Sequence, residues 1–167
     1  MLLLDLFETS AEDERQHFDA LHKTGFYGAQ GAGLIFLAQS TGRFLLAERS
    51  TKPPPRNVEQ PGTFGVWGGA IDSNEDPKTA AIREAEEECG YNGQIKMIPL
   101  FVFRKDTFRY SNFLGVIPDE FTPRLNWESE SYKWCEFGNW PKPLHFGVMA
   151  ILNDPNSVQI MKEFLKI

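Results

Sequence analysis

The chain reads as an α/β fold, a mixed β-sheet sandwiched by helices. Three observations predict it. Runs rich in β-branched and aromatic residues recur at 33–39, 44–48, 64–71, 95–104, 110–117 and 131–137. One strongly punctuated helical run, with Pro77 near its start and Gly90 at its end, interrupts them. Strands and helices do not alternate strictly, which points to a mixed sheet and not an all-parallel one.

In chain order, Thr9 or Ser10 can cap a helix running to Lys23, with Gly25 as its stop and a thin apolar face of Phe18 and Leu21. Residues 33–39 form a buried strand, Thr41-Gly42 a turn, and 44–48 the hairpin partner. The stretch STKPPPRNVEQPG, 50–62, carries four prolines. Proline fixes φ and removes a backbone donor, so this is a stiff loop, long enough to suggest a binding role. Residues 64–71 make a short strand ending in glycines. Asn74 or Asp76 caps the next helix, and Pro77 sits in the first turn, where helices tolerate it. Strands 95–104 and 110–117 are joined by Lys105-Asp106-Thr107, residues 131–137 alternate as another strand, and 145–152 and 156–166 read as helices.

With 167 residues, the chain has the size of a single domain. It is 41% hydrophobic and 24% charged, as soluble globular proteins are. A net charge of −6 without a basic stripe argues against a polynucleotide ligand. Cys89 and Cys135 fit no zinc or redox spacing and read as reduced core thiols. The start, MLLLDLFETS, lacks the basic and small-residue marks of a signal peptide and is too short to span a membrane, so a cytoplasmic protein is expected.

The chemistry concentrates in GAIDSNEDPKTAAIREAEEECGY, residues 69–91. Helical residues follow one another at about 100°. Ala81, Ile82, Ala85 and Cys89 then share a core-facing arc, and Glu84, Glu87 and Glu88 occupy the arc beside it. Three carboxylates held close repel one another and call for a cation. Oxygen ligands suit Mg2+ or Mn2+. Gly69, with no side chain in the way, is expected to turn its carbonyl toward the same ions. Arg83 can clamp a carboxylate with its planar fork.

Gly69, Glu75, Arg83, Glu84, Glu87, Glu88 and Gly90 match every polar and glycine position of the Nudix box, G-x5-E-x7-R-E-U-x-E-E-x-G-U, so this region resembles that of the Nudix hydrolases. Looser similarity extends over residues 28–152. Ala85 and Tyr91 depart from two bulky aliphatic positions, and Trp67 stands where proline is common. The resemblance implies a Nudix-type α/β/α sandwich in one domain, 1–167, with residues 1–27 as an N-terminal extension. It also implies metal-dependent hydrolysis of a nucleoside diphosphate linked to another moiety. Glu84, Glu87 and Glu88 would hold the metals, Gly69 would add its carbonyl, Arg83 would orient a glutamate and Glu75 would support the loop. Many relatives pair as homodimers.

A second acid can serve as the base. Glu128, six residues before Trp134, resembles the late glutamate that some Nudix enzymes carry on a mobile loop, and Glu130 is its rival. Arg49 and Arg56 flank the stiff loop and can meet phosphates. Phe64, Trp67 and Trp127 can stack on a base. His145 reads as a helix-start residue. Two other readings compete with a nucleotide pyrophosphohydrolase: a nucleotide-sensing domain without turnover, and a hydrolase of a non-nucleotide diphosphate.

Overall fold

A computed structural model describes residues 30–51 and 60–166. The expected helix at 9–23, Arg56 and most of the proline-rich loop lie outside the described residues. Seven strands form one sheet: β1 (Gly31–Ala38), β2 (Arg43–Arg49), β3 (Phe64–Gly65), β4 (Trp67–Ala70), β5 (Lys96–Lys105), β6 (Phe108–Ile117) and β7 (Ser129–Glu136). The helices are α1 (Pro77–Cys89), α2 (Phe146–Leu152) and α3 (Pro155–Leu165). The main strand order is β3-β2-β1-β6-β5, with β4 on β1 and β7 on β2. Only β1 and β6 run parallel among the named pairs, so the sheet is mixed.

β1 is buried along its whole length, and the strand period of two sorts its side chains. Ala32, Leu34, Phe36 and Ala38 pack toward α1 with Ala80, Ala81, Ala85 and Cys89. Ile35 and Leu37 pack on the other face with Val148 and Ile151 of α2 and Met161 of α3. Helices therefore cover both faces. The sequence places Ile82 on the core arc of α1, but Ala80 takes that position and Ile82 stays half-buried. Asp76 caps α1 by accepting from Thr79 N at 2.7 Å, and Gly90 closes it at φ 81, a left-handed geometry that glycine adopts without steric cost.

The expected single strand at 64–71 is two. β3 pairs with β2, whereas β4 leaves that edge and pairs with the first half of β1. The departures from the box pattern are also accommodated. The small Ala85 is buried against β1, and the ring of Tyr91 packs on Phe36 and Phe121 with centroids 5.3 and 4.7 Å away. Cys89 and Cys135 are free and buried, and burial raises their thiol pKa values to about 12 and about 11. Among the described residues no helix is long and apolar enough to cross a membrane.

Candidate active site

The site is organised by the outer edge of β4. Ile71 N donates to Gln30 O at 2.8 Å, which makes 71/30 a hydrogen-bonded pair of the antiparallel ladder. Two-residue steps then assign Gly69 and Trp67 to β1, and turn the amides and carbonyls of Gly68 and Ala70 outward. Helix α1 meets that edge with side chains. Gly68 N donates to Glu88 Oε1 at 3.1 Å, and Arg83 Nη2 donates to Ala70 O at 3.0 Å.

This register corrects one expectation. The carbonyl of Gly69 is directed at β1, and it is Gly68 whose backbone lies on the acidic edge. Gly69 contributes its missing side chain instead. A Cβ there would stand 2.7–2.8 Å from the Glu84 carboxyl group. The adjacent glycine of the Gly68-Gly69 pair was the available sequence signal.

Arg83 holds the acids together. Its Nε and Nη2 each donate to Glu75 at 2.9 Å, and its Nη1 donates to Glu84 at 3.0 Å and Glu87 at 3.3 Å. Asp72 lies 3.4 Å from Nε. The hydrogen bond to Glu75 raises the Arg83 pKa above its ordinary value, and the same bond holds Glu75 below the usual carboxylate range. Glu75 also accepts from Asp72 N at 3.0 Å, which fixes the loop before α1.

The three carboxylates differ in setting. Glu88 is buried, Glu84 half-buried, and the side chain of Glu87 is 55% exposed. The expectation that all three sit together beside the core is thus corrected for Glu87. Among the described residues no three acidic, histidine or cysteine side chains stand close enough to hold a metal ion. Arg83 supplies the positive charge among Glu75, Glu84 and Glu87. The donor set still fits a hard divalent cation: carboxylate oxygens along one helix, Glu84 flush against a glycine, and Glu88 oriented by a backbone amide.

Glu128 is buried in the turn just before β7, not exposed on a loop. The segment leading to it is tied to the end of α1: Arg124 N donates to Cys89 O at 2.8 Å and Asn126 N to Glu88 O at 3.2 Å. Glu130 is exposed and accepts from Thr51 Oγ1 at 2.7 Å. Trp67 cannot stack on a base: it is fully buried under α1 and its Nε1 donates to Leu45 O at 3.2 Å. Phe64 packs into the core beneath α2, and Trp127 remains exposed. Arg49 is buried and borders a pocket on the opposite face from α1, together with Gly68, Asn112 and His145. Asn112 was not singled out by the sequence, where it is one polar residue within an apolar strand.

A family profile described as NUDIX domain matches residues 29–154, and the chain belongs to that family. It is 29% identical over 118 residues to an ADP-ribose pyrophosphatase of Saccharomyces cerevisiae, an overlap of 65% of this chain and 49% of the relative. It is 30% identical over 110 residues to an RNA pyrophosphohydrolase of Rhodospirillum rubrum, covering 64% of this chain and 60% of that protein. The match thus spans about half to three-fifths of these relatives. A solved Nudix hydrolase of M. smegmatis shares the fold at a TM-score of 0.66 and 23% identity, over 83% of this chain and 87% of that one.

Proposed function

We propose that the chain is a metal-dependent pyrophosphohydrolase that cleaves a nucleoside diphosphate linked to another moiety, using Mg2+ with Mn2+ as a substitute. The single observation that carries the reading is the Arg83 network, which gathers Glu75, Glu84 and Glu87 at the β4 edge where Glu88 meets Gly68 N. Relatives named as pyrophosphatases support it.

Glu84, Glu87 and Glu88, with the outward backbone of Gly68, would hold the cation. A bound divalent cation neutralises the diphosphate and polarises the phosphorus under attack. The chain's own residues do the rest. Arg83 keeps Glu84 and Glu87 in place, and Glu75 anchors Arg83 to the loop. Gly68 N–H fixes Glu88. Glu128 takes the proton of the attacking water. It is favoured over Glu130 because its segment is tethered to the Glu88 end of α1, whereas Glu130 is exposed and engaged with Thr51. Arg49 and Arg56 meet phosphates, and Trp127 offers an exposed ring to a base. One domain, a cytoplasmic setting and a homodimer belong to the same proposal.

The test is release of monophosphate products from a nucleotide panel with Mg2+, with Mn2+ and with a chelator. Metal-dependent turnover that falls at least 100-fold in Glu84→Gln and Glu88→Gln is expected. Nucleotide binding without turnover under every metal condition would replace the hydrolase with a sensing domain.

A further inference from the structure

The chain between β6 and β7 reaches Glu128 by way of the C-terminal end of α1. Two of its amides land on the last carbonyls of that helix, Arg124 N on Cys89 O at 2.8 Å and Asn126 N on Glu88 O at 3.2 Å. The end of a helix leaves such carbonyls without an intrahelical partner, so the helix itself supplies the docking points.

Asn126 does more than dock. Its Oδ1 accepts from Glu128 N at 3.0 Å, an Asx turn in which the side chain takes the place of a backbone acceptor. Ser129 N closes on Asn126 O at 3.4 Å. On the other side Glu128 O accepts from Ser50 N at 3.0 Å, just past β2. Both backbone groups of Glu128 are thus held. Asn126 touches Glu88 with its main chain and Glu128 with its side chain, so one residue joins the acidic helix to the second acid.

The sheet contributes an independent device. β2 and β7 pair regularly from Arg43 with Glu136 to Glu48 with Ser131, and the next pair is Arg49 with Ser129. Glu130 is therefore an extra residue on β7, a bulge, and bulges re-aim the side chains beside them. Glu128 and Ser129 are both buried, while Trp127 and Glu130 on either side are exposed. Regular strand alternation cannot bury two neighbours. The turn at Asn126 and the bulge at Glu130 together turn this one carboxylate inward. Burying a carboxylate is unfavourable, so a segment pinned on both sides of it marks an acid held for use.

We propose that Asn126 is a positioning residue for hydrolysis: it sets the reach and aim of Glu128 relative to the helix that carries Glu84, Glu87 and Glu88. This rests on the hydrolase reading above and on Glu128 as its base. Asn126 itself moves no proton and holds no cation. Its effect is geometric, and misplacing a reacting group by about 1 Å costs up to about 100-fold in rate.

Two measurements on the full chain test it. The first needs neither metal nor substrate and follows amide hydrogen exchange at Glu128. Asn126→Ala deletes the acceptor, and exchange there should quicken by about 10-fold or more. Asn126→Asp keeps an oxygen at the same reach and should stay near the wild-type rate. The second is steady-state turnover with Mg2+, on the nucleotide of the panel above that the wild type cleaves fastest. Asn126→Ala should lose about 10-fold or more in kcat with KM within about twofold, and Asn126→Asp should regain most of the loss. In a Glu128→Gln background, Asn126→Ala should cost less than about twofold more, because a base already removed cannot be misplaced. If Asn126→Ala does not fold, Asn126→Gln replaces it, since its amide is one methylene too long to close the turn. Unchanged exchange at Glu128, or full kcat in Asn126→Ala beside an impaired Glu128→Gln, overturns the positioning role and leaves the hydrolase standing. A loss that aspartate does not rescue, or that adds in full to Glu128→Gln, overturns it as well, because Asn126 would then act on the fold at large. Glu128→Gln at the wild-type rate removes the base and its positioning residue together. A wild type without turnover on any nucleotide sinks the hydrolase reading itself, and that failure is seen before any Asn126 variant is made.

Discussion

Gly68 and Gly69 are neighbours on β4 but look into different chemical worlds. Against Gly69 stands Glu84, part of an acidic group of graded exposure that Arg83 ties together. Against Gly68 stand the Tyr110 hydroxyl and the backbone of β1, and beyond them the narrow pocket, a slot bordered by Arg49, Asn112, His145 and aromatic rings. The acidic side comes from one contiguous loop and helix. The slot is assembled from five elements between Arg49 and Ala150. The lesson is that a cluster of charge can be encoded locally, whereas the shape of a pocket here requires the whole sheet.

The sharpest way to break this comparison is to add one methyl group on each side. In Gly68→Ala the new Cβ would overlap Ala32 O and Gly33 Cα, which are backbone and cannot swing aside. A loss of about 3 kcal/mol is expected in denaturant unfolding. In Gly69→Ala the three atoms nearest the Cβ all belong to the Glu84 carboxyl group, the end of a side chain and not backbone. Stability should change by less than about 1 kcal/mol, while turnover falls by about 100-fold as Glu84 is displaced. Full turnover in Gly69→Ala would remove Glu84 from the reaction.

This contrast also explains what the sequence could reveal. The caps of α1, Asp76 and Gly90, follow from residue chemistry that acts over one turn. That Arg83 clamps a carboxylate follows from its place among the acids of α1, whereas its bond to Glu75 does not, because Glu75 lies in the loop before that helix. The glycine that presents its backbone to Glu88 does not, because it depends on which edge of β4 pairs with β1. Trp67 read as a candidate for stacking on a base because its burial is set by α1 lying over it. Asn112 gave no signal, since its partner Phe101 belongs to a different strand and its pocket is closed by α2.

Arg83→Lys tests the acidic side more gently. Lysine keeps the charge but loses the fork that reaches Glu75 with two nitrogens and Ala70 O with one. A stability loss of about 2 kcal/mol is expected in thermal unfolding, since several hydrogen bonds to charged groups go at once. Glu87→Gln should cost less than about 0.5 kcal/mol, because the Glu87 side chain is 55% exposed and meets Arg83 at 3.3 Å. Its turnover should nevertheless drop, which separates a ligand role from a structural one. Unaltered turnover would confine the metal to Glu84 and Glu88.

At neutral pH the smallest effect is expected on the slot side, and it grows only within a defined pH window. His145 has a folded pKa of about 3, below the ordinary 6.5, so it is neutral in the fold. The unfolded chain takes up a proton there below pH 6.5. The stability from keeping the ring neutral is therefore complete above pH 6.5 and is lost progressively as pH falls toward 3. Between pH 6.5 and 5.5 the loss is roughly 1 kcal/mol. Asn at this position caps α2 without titrating, so His145→Asn should decline less steeply over that interval. Glu75, also held below its usual range, loses its contribution at lower pH and is common to both proteins, so the difference between their unfolding curves isolates the imidazole. Parallel curves would mean that His145 takes up its proton over the same pH range in the fold as in the unfolded chain, and that its burial does not hold the ring neutral.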